Sequence, residues 1–287
     1  MSSDRAILSI QSAVAYGHVG NSAAVFPLQR LGFEVWPVNT VQFSNHTGYG
    51  DWRGPVLTVE AVADILTGVE ERGVFPRCGA VLSGYMGDAS LGHVILDFAN
   101  RVRTANPRAV YCCDPVMGDT ETGFYVRPGI PELMREHAVP AADIVTPNQF
   151  ELEALTGRDC GTMADALAAA REVRALGPTT VFVTSLQRRD GPEDAIEMIA
   201  VDGAGAWRVT VPRLRVYLSG TGDLTAALLL ANLLTGRSTA EALAATASSV
   251  FAVVEATVAD GSGEIRLIEA QDALVAPPRR FEAEAIV

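Results

Sequence analysis

The chain contains no lysine, because all 22 of its basic residues are arginine. This absence excludes each mechanism that depends on a lysine side chain, including a P-loop lysine, a Schiff-base lysine and a lysine general base. A GxGxxG motif is absent as well. The sequence therefore carries neither the Walker nor the Rossmann signature of nucleotide binding.

Basic residues are also fewer than acidic ones, and the formal net charge is -12 at pH 7. Nucleic-acid binding draws on clustered cationic side chains, so this balance argues against a nucleic-acid partner. Any phosphate that the protein handles must then be held by local groups. The 48% of hydrophobic residues among 287 is enough for a large buried core.

Cysteine is scarce and has no metal-binding spacing. Cys78, Cys112, Cys113 and Cys160 form no CxxC pair. Cys112 and Cys113 are adjacent in an apolar stretch, and neighbours on a strand point to opposite faces. We predict buried, reduced thiols rather than a zinc site or a disulfide.

Long uninterrupted apolar runs are absent. Gly, Pro or charge breaks each apolar stretch before membrane-spanning length, and residues 1–5 lack the apolar region of a signal peptide. We therefore expect a cytoplasmic protein without membrane contact.

Apolar strand patterns alternate with helical patterns along most of the chain. Strands are predicted at 6–11, 33–38, 80–83, 109–113, 143–146 and 180–184, and a hairpin pairs 196–201 with 207–211. Helices are predicted at 22–31, 59–71, 91–104, 131–137, 165–176 and 239–258, with a further helix opening at Asp223. This alternation predicts an α/β fold with a mostly parallel sheet, and we expect one domain over residues 1–287.

Polar residues follow the predicted strands where each strand ends. Ligands of open α/β sheets bind at the carboxyl ends of strands. The strand ends nominate one predicted site, made of Ser12, Ser83–Tyr85, Asp114–Asp119, Thr146–Asn148 and Thr184–Ser185.

Gly220-Thr221-Gly222-Asp223 precedes an apolar run of strong helix formers. The first amides of a helix lack intrahelical partners and lie at the positive end of its dipole, so this start can hold a phosphate without a basic side chain. Asp223 would place a carboxylate beside it, which suits phosphoryl transfer to a hydroxyl. The alternative is an ordinary Asp cap after a Gly turn.

Other motifs are open to two interpretations when each is taken alone. Asp114 and Asp119 could lie near a hard cation such as magnesium, or Asp114 could cap a turn while Asp119 is solvated. Glu151 falls in a first helical turn, where compensation of the helix dipole is common. Ser12, Thr47 and Tyr85 suit a heteroaromatic ligand, although each could equally be an ordinary loop or half-buried residue.

Several of these segments together resemble the pyridoxal kinases of the ribokinase-like superfamily. The resemblance runs from about residue 6 to the C-terminus and rests on Phe43-Ser44-Asn45-His46-Thr47-Gly48-Tyr49, Thr146-Pro147-Asn148-Gln149-Phe150-Glu151, Cys113–Asp119, Tyr16–Ala24 and Gly220–Asp223. It implies a three-layer α/β/α kinase, usually a homodimer. Such a kinase uses ATP and Mg²⁺ to phosphorylate the 5'-hydroxymethyl group of vitamin B6 in its salvage.

The resemblance also implies a role for each matched residue. Asp223 would be the general base, and Gly220, Thr221 and Gly222 would form the anion hole. The B6 vitamer would contact Ser12, Thr47, Gly48, Tyr85 and Asp223. ATP would face Asp114, Thr146, Asn148, Glu151, Thr184, Ser185, Leu214, Thr221 and Gly222. Asp119 and Glu151 would organise Mg²⁺, and Asp114 with Thr146 would lie near a monovalent cation, K⁺ or Na⁺.

One departure from the family pattern is Thr184, because some bacterial relatives carry lysine there. Two rival functions stay open at this point. One is a related kinase acting on hydroxymethylpyrimidine or another small alcohol, and the other is a non-catalytic B6 carrier.

Overall fold

The computed structural model describes residues 5–286. Its strands are β1 (Ala6–Val14), β2 (Glu34–Phe43), β3 (Cys78–Ser83), β4 (Val110–Cys113), β5 (Gly118–Asp119), β6 (Gly123–Phe124), β7 (Ile144–Val145), β8 (Thr180–Leu186), β9 (Ala195–Val201), β10 (Ala206–Pro212) and β11 (Glu284–Ala285). The helices are α1 (Asn21–Arg30), α2 (Val59–Glu70), α3 (Ala89–Ala105), α4 (Ile130–Leu133), α5 (Val139–Ala141), α6 (Gln149–Thr156), α7 (Met163–Ala175), α8 (Thr221–Leu234), α9 (Thr239–Asp260) and α10 (Gln271–Val275). Residues 1–4 and 287, on which the signal-peptide and whole-chain domain predictions partly rest, lie outside the described residues.

One nine-stranded sheet runs through the molecule in the order β11-β10-β9-β8-β7-β4-β3-β1-β2. The strands from β2 to β8 in this order pair in parallel. β9, β10 and β11 extend the sheet by antiparallel pairing. The predicted mostly parallel α/β fold is confirmed, and so is the hairpin that joins β9 to β10.

Helices cover both faces of the sheet, which gives three layers. Alternate strand residues supply the two cores, because successive side chains of a strand point to opposite faces. Cys113 belongs to the core cluster that contains residues of α2, α3, α6 and α7, whereas Cys112 belongs to the cluster that contains residues of α1, α8 and α9. All four cysteines, which lie within the described residues, are free and buried, as predicted.

Helix α9 contains Glu241 and Glu255, so charge interrupts its apolar stretch as predicted. By length and composition alone, this 22-residue helix is apolar enough to cross a membrane. It packs instead against α8, β9 and β10, and 56% of its most apolar window is buried. Burial of this kind is what a core helix requires.

Two strands near the site are longer than the sequence pattern predicted. β1 continues through Ser12 to Val14, where we expected a loop, and β2 continues to Phe43. Within the predicted part of β1, the Gln11 amide nitrogen donates to Ser9 Oγ at 2.9 Å inside the core. The pairing of β1 with β2 shifts register between Gln11 and Ala13, so Ser12 occupies an irregularity within a strand.

Candidate active site

One cavity of about 700 Å³ opens at the carboxyl ends of the parallel strands. The residues to which the resemblance gave a role line it, namely Ser12, Thr47, Gly48, Tyr85, Asp114, Asp119, Thr146, Asn148, Glu151, Thr184, Ser185, Leu214, Gly220, Thr221, Gly222 and Asp223. Of the other residues nominated by the strand ends, Val116 also lines the cavity, whereas Ser83, Gly84, Pro115, Met117, Gly118 and Pro147 do not. The lining residues come from distant parts of the chain because adjacent parallel strands end on the same edge. The structure thus brings the predicted residues together, while their individual roles stay predictions.

Helix α8 begins at Thr221, two residues before the start that the sequence suggested. Its N-cap is Gly220, and no side chain of the described residues 5–286 caps this helix start. Gly220 has φ 85°, and a Cβ there would overlap the carbonyl oxygen of His18. Glycine is therefore required by both conformation and space. The alternative of Asp223 as an N-cap is wrong, because Asp223 lies inside the first turn.

Asp223 lies half-buried on the cavity wall at this helix start. Burial raises the pKa of Asp223 to about 6, although hydrogen bonds from the backbone amides of Gly20 and of Asp223 itself oppose the rise. Desolvation disfavours the charged form of a carboxyl group, which explains the direction. A carboxylate of this kind can accept a proton near neutral pH.

Asp114 is buried beside the same wall and accepts a hydrogen bond from Thr146 Oγ1 at 2.9 Å. Burial and the negative charge of Asp223 raise the pKa of Asp114 to about 8, against the effect of the Thr146 hydrogen bond. The alternative of a side-chain turn cap is wrong, since the turn at Pro115 uses the backbone oxygen of Asp114. The site therefore places two carboxyl groups near each other, where a bound cation would favour their ionised forms.

Helix α6 begins with a complete capping box. Asn148 Oδ1 accepts from the Glu151 amide and Glu151 Oε2 accepts from the Asn148 amide, both at 2.9 Å. The second oxygen of Glu151 accepts from the Met117 amide, also at 2.9 Å. Burial and the charge of Asp114 raise the pKa of Glu151, against these amides. Glu151 thus does more than compensate a dipole, because it ties α6 to the loop after β4.

Asp119 ends strand β5, in a short β5–β6 hairpin that the sequence pattern did not reveal. Its Oδ1 accepts from the amides of Glu121 and Thr122, and its Oδ2 accepts from the Tyr217 hydroxyl at 3.0 Å. The idea that Asp119 is merely solvated is therefore wrong.

Strand β8 delivers Thr184 and Ser185 to the cavity. Thr184 forms an isolated bridge with Asn148, so β8 and α6 meet directly at the site. Ser185 is exposed and has φ 53°, the one positive φ outside glycine in residues 5–286. Non-glycine residues in this conformation concentrate at functional sites.

Ser12, Thr47, Gly48 and Tyr85 line the same cavity beside an apolar wall that the sequence reasoning missed. Val14, Val19, Val41 and Phe43 form this wall and pack together with Tyr85. Thr47 begins a short 3-10 helix, Thr47–Tyr49, rather than lying in an irregular loop. The mixture of hydroxyls and an apolar wall suits a small aromatic ligand.

His46 and Ser219 also line the cavity, although the sequence reasoning did not select them. Each is directly adjacent to a residue that was selected, Thr47 and Gly220 respectively. The two residues are distant in the sequence, and the fold brings Ser219 Oγ to within 3.1 Å of His46 Nδ1.

The acidic residues of the cavity do not form a closed metal cage. Across residues 5–286, no group of three or more His, Cys, Asp or Glu residues is arranged to hold a metal ion. Both oxygens of Glu151 and both oxygens of Asp119 already accept hydrogen bonds. This donor set fits an ion whose ligands are mainly water and phosphate, as Mg²⁺ usually has.

The sequence is similar to known proteins over nearly its whole length. Pyridoxal kinase PdxY of Rubrobacter xylanophilus is 64% identical over 281 residues, covering 98% of this chain and 97% of the relative. Pyridoxal kinase PdxY of Leifsonia xyli is 52% identical, covering 98% and 99%. The chain belongs to the pyridoxal kinase family. A family model described as phosphomethylpyrimidine kinase also matches residues 76–267.

Solved structures of pyridoxal kinases share the fold. The Leishmania donovani pyridoxal kinase in complex with ADP and pyridoxine superposes with a TM-score of 0.91 at 31% identity, covering 99% of this chain and 100% of that one. The ribokinase-like fold expected from the sequence is thereby confirmed. The same enzyme has been solved with ADP and pyridoxamine, again at a TM-score of 0.91 and 31% identity, covering 99% of this chain and 100% of that one.

Proposed function

We propose that this protein transfers the γ-phosphoryl group of ATP to the 5'-hydroxymethyl group of pyridoxal, giving pyridoxal 5'-phosphate. The observation that carries the proposal is the uncapped start of α8, which faces the cavity with Asp223 in its first turn. Pyridoxine and pyridoxamine are further substrates by the same chemistry. The whole-chain similarity to pyridoxal kinases supports this substrate class.

In the proposed mechanism, Asp223 accepts the proton of the substrate hydroxyl. Phosphoryl transfer passes through a loose transition state in which the proton leaves late, so a carboxylate is a sufficient base when it is well placed. The amides of Gly220, Thr221 and Gly222 receive the charge on the transferring group. Because the chain lacks lysine, backbone dipoles carry work that a cationic side chain does in many kinases.

The vitamer occupies the end of the cavity formed by Ser12, Thr47, Gly48 and Tyr85, where the apolar wall packs against its ring. ATP occupies the opposite end, beside Asn148, Thr184, Ser185 and Leu214. We place Asp223, which lines the same cavity, between these two ends. This arrangement places the acceptor alcohol between the base and the phosphate.

For the cations, we propose that Asp119 and Glu151 hold Mg²⁺ mainly through water. When bound, Mg²⁺ neutralises charge on the nucleotide phosphates. The buried Asp114–Thr146 pair offers oxygens for a monovalent cation, K⁺ or Na⁺. The raised pKa of Asp114 supports a cation near it, because uncompensated burial of this carboxylate is unfavourable.

We further propose one domain and a cytoplasmic homodimer, which the resemblance to pyridoxal kinases supports. Light scattering would measure the mass in solution. A mass near that of the 30.4 kDa monomer would contradict dimerisation.

A second candidate substrate is hydroxymethylpyrimidine. The family model over residues 76–267 is described as phosphomethylpyrimidine kinase, which is the observation in its favour. Purified protein should be given ATP with pyridoxal, pyridoxine, pyridoxamine or hydroxymethylpyrimidine in parallel, with and without a chelator of Mg²⁺. Faster turnover of the pyrimidine would overturn the B6 assignment, and turnover unaffected by the chelator would overturn the Mg²⁺ assignment.

A further inference from the structure

His46 contacts two loops that the proposed reaction needs in fixed relation. Its Nδ1 accepts a hydrogen bond from the Gly48 amide at 3.2 Å, within the vitamer loop, defined here as His46–Tyr49. The same nitrogen lies 3.1 Å from Ser219 Oγ, in the phosphate loop, defined here as Ser219–Asp223. The two partners are 171 positions apart in the chain, by subtraction of their numbers.

The hydrogen bond from the Gly48 amide determines which atom is the donor in the contact between His46 and Ser219. A ring nitrogen that accepts from an amide carries no proton, so the Ser219 hydroxyl must donate to Nδ1. The proton of the neutral ring then lies on Nε2. Burial lowers the pKa of His46 despite the opposing charge of Glu264, which favours this neutral form.

We infer that His46 is a positioning residue that holds the vitamer loop against the phosphate loop through its Nδ1. The inference rests on the proposed function, because its value lies in aligning the alcohol of the vitamer with Asp223 and the anion hole. Displacement of reacting groups by about 1 Å can cost two orders of magnitude in rate, so such a tie has a direct effect on catalysis.

Glu264 provides a second connection between the vitamer loop and the phosphate loop, which limits the expected effect of losing His46. Glu264 accepts from the Tyr49 hydroxyl at 2.7 Å and from the His18 amide at 3.1 Å. The His18 carbonyl in turn packs directly against Gly220. Because this route also joins the two loops, loss of His46 should loosen their relation without separating them.

The test uses four variants of the full-length protein. His46→Leu removes the acceptor, His46→Asn keeps an oxygen acceptor near the position of Nδ1, and Ser219→Ala removes the donor. The double variant His46→Leu/Ser219→Ala completes a thermodynamic cycle. His93→Leu is the matched control, because His93 is exposed on α3 and lies outside the cavity lining.

For pyridoxal phosphorylation, His46→Leu and Ser219→Ala should each lower kcat/KM by about fivefold, the factor that corresponds to one neutral hydrogen bond. The double variant should be no worse than His46→Leu by more than about twofold, and His46→Asn should recover most of the loss. Independent, multiplying losses would overturn the inference, since they would mean that the two residues do not act through one contact. Loss of activity in His93→Leu would overturn it as well.

A second measurement does not depend on turnover. The ¹⁵N chemical shifts of the His46 ring should identify Nδ1 as unprotonated, and Ser219→Ala should move the Nδ1 shift. A protonated Nδ1, or a shift that Ser219→Ala leaves unchanged, would refute the contact even in active enzyme. If the wild-type protein fails to phosphorylate any B6 vitamer, the proposed function fails, while the chemical shifts still decide on the contact itself.

Discussion

Two helices direct their N-termini toward the same cavity, and they are capped in opposite ways. The first amides of α6 are satisfied by a reciprocal pair of side chains from Asn148 and Glu151. Helix α8, whose N-cap is Gly220, receives no side-chain cap from any residue between 5 and 286. A capped start is closed to a ligand, whereas an uncapped start keeps amide donors for one.

This difference assigns separate tasks to the two sides of the cavity. The α6 side is held rigid by its own hydrogen bonds and presents carboxylates, which suits the organisation of cations. The α8 side presents backbone donors and one carboxylate, which suits an incoming phosphate and a proton. The separation also keeps Glu151 engaged with backbone amides, whereas Asp223 lies beside the open helix start.

The largest expected effect comes from the carboxylate on the α8 side. Asp223→Ala should lower kcat by at least about a hundredfold, as expected for a lost general base, while binding of ADP and pyridoxal survives. Steady-state kinetics and calorimetry would measure the two quantities. Asp64→Ala, an exposed position on α2, is the matched control. Unchanged kcat in Asp223→Ala would remove this residue from the mechanism.

Substitution of the two glycines at the start of α8, Gly220 and Gly222, should have different effects on stability and on ATP use. Gly220→Ala should lower the free energy of unfolding by about 1–3 kcal/mol, because a Cβ at φ 85° would press on the His18 carbonyl. Gly222 is exposed and has open space around its Cα, so Gly222→Ala should leave stability unchanged and weaken ATP use by about tenfold. Chemical denaturation and the KM for ATP separate the two outcomes. Equal stability of both variants would contradict the argument from space.

The pH dependence of kcat/KM and of the free energy of unfolding should both reflect the ionisation of Asp223. With its pKa at about 6, kcat/KM should fall about tenfold for each pH unit below that value, since the base must be ionised. The folded state holds this proton more tightly than the unfolded state, whose ordinary value is 3.8. The free energy of unfolding should therefore decrease as pH rises from about 4 to 6. Asp223→Asn should remove this part of the pH dependence, and an identical stability profile in the variant would exclude the raised pKa.

The smallest expected effect tests the α6 side. Asn148→Ala should cost about 1 kcal/mol of stability through loss of the cap, and it should also raise the KM for ATP several-fold. Ser238→Ala breaks the capping box of α9 at a residue that does not line the cavity, and it should cost the same stability without changing the KM. If both variants leave the KM unchanged, the α6 cap serves the fold alone.

Much of the fold follows from local pattern. Alternating apolar runs identified the parallel strands, and the paired runs at 196–201 and 207–211 identified the β9–β10 hairpin, because periodicity is encoded locally. The β5–β6 hairpin was missed because its strands are two residues long and carry no periodicity. The extension of β1 was missed because it begins at Ser12, a polar residue at an irregularity in the pairing of β1 with β2 that only the tertiary structure reveals.

Like the fold, the candidate site has features that the sequence predicted and features that it did not. Its residue types were predictable, since polar groups that follow apolar strands mark the ligand edge of a parallel sheet. The engagement of Glu151 by the Met117 amide, the raised pKa of Asp114 beside Asp223 and the His46–Ser219 contact were not predictable. Each depends on atoms that are distant in sequence.

By itself, the sequence determined the layered α/β fold, the absence of lysine chemistry and the glycine-rich start of α8, because these depend on residue type and short-range spacing. Only the tertiary structure decided which carboxylates face one another and which helix start stays open. Both depend on burial and on separations of a few ångströms, and the packing of the whole chain sets these quantities.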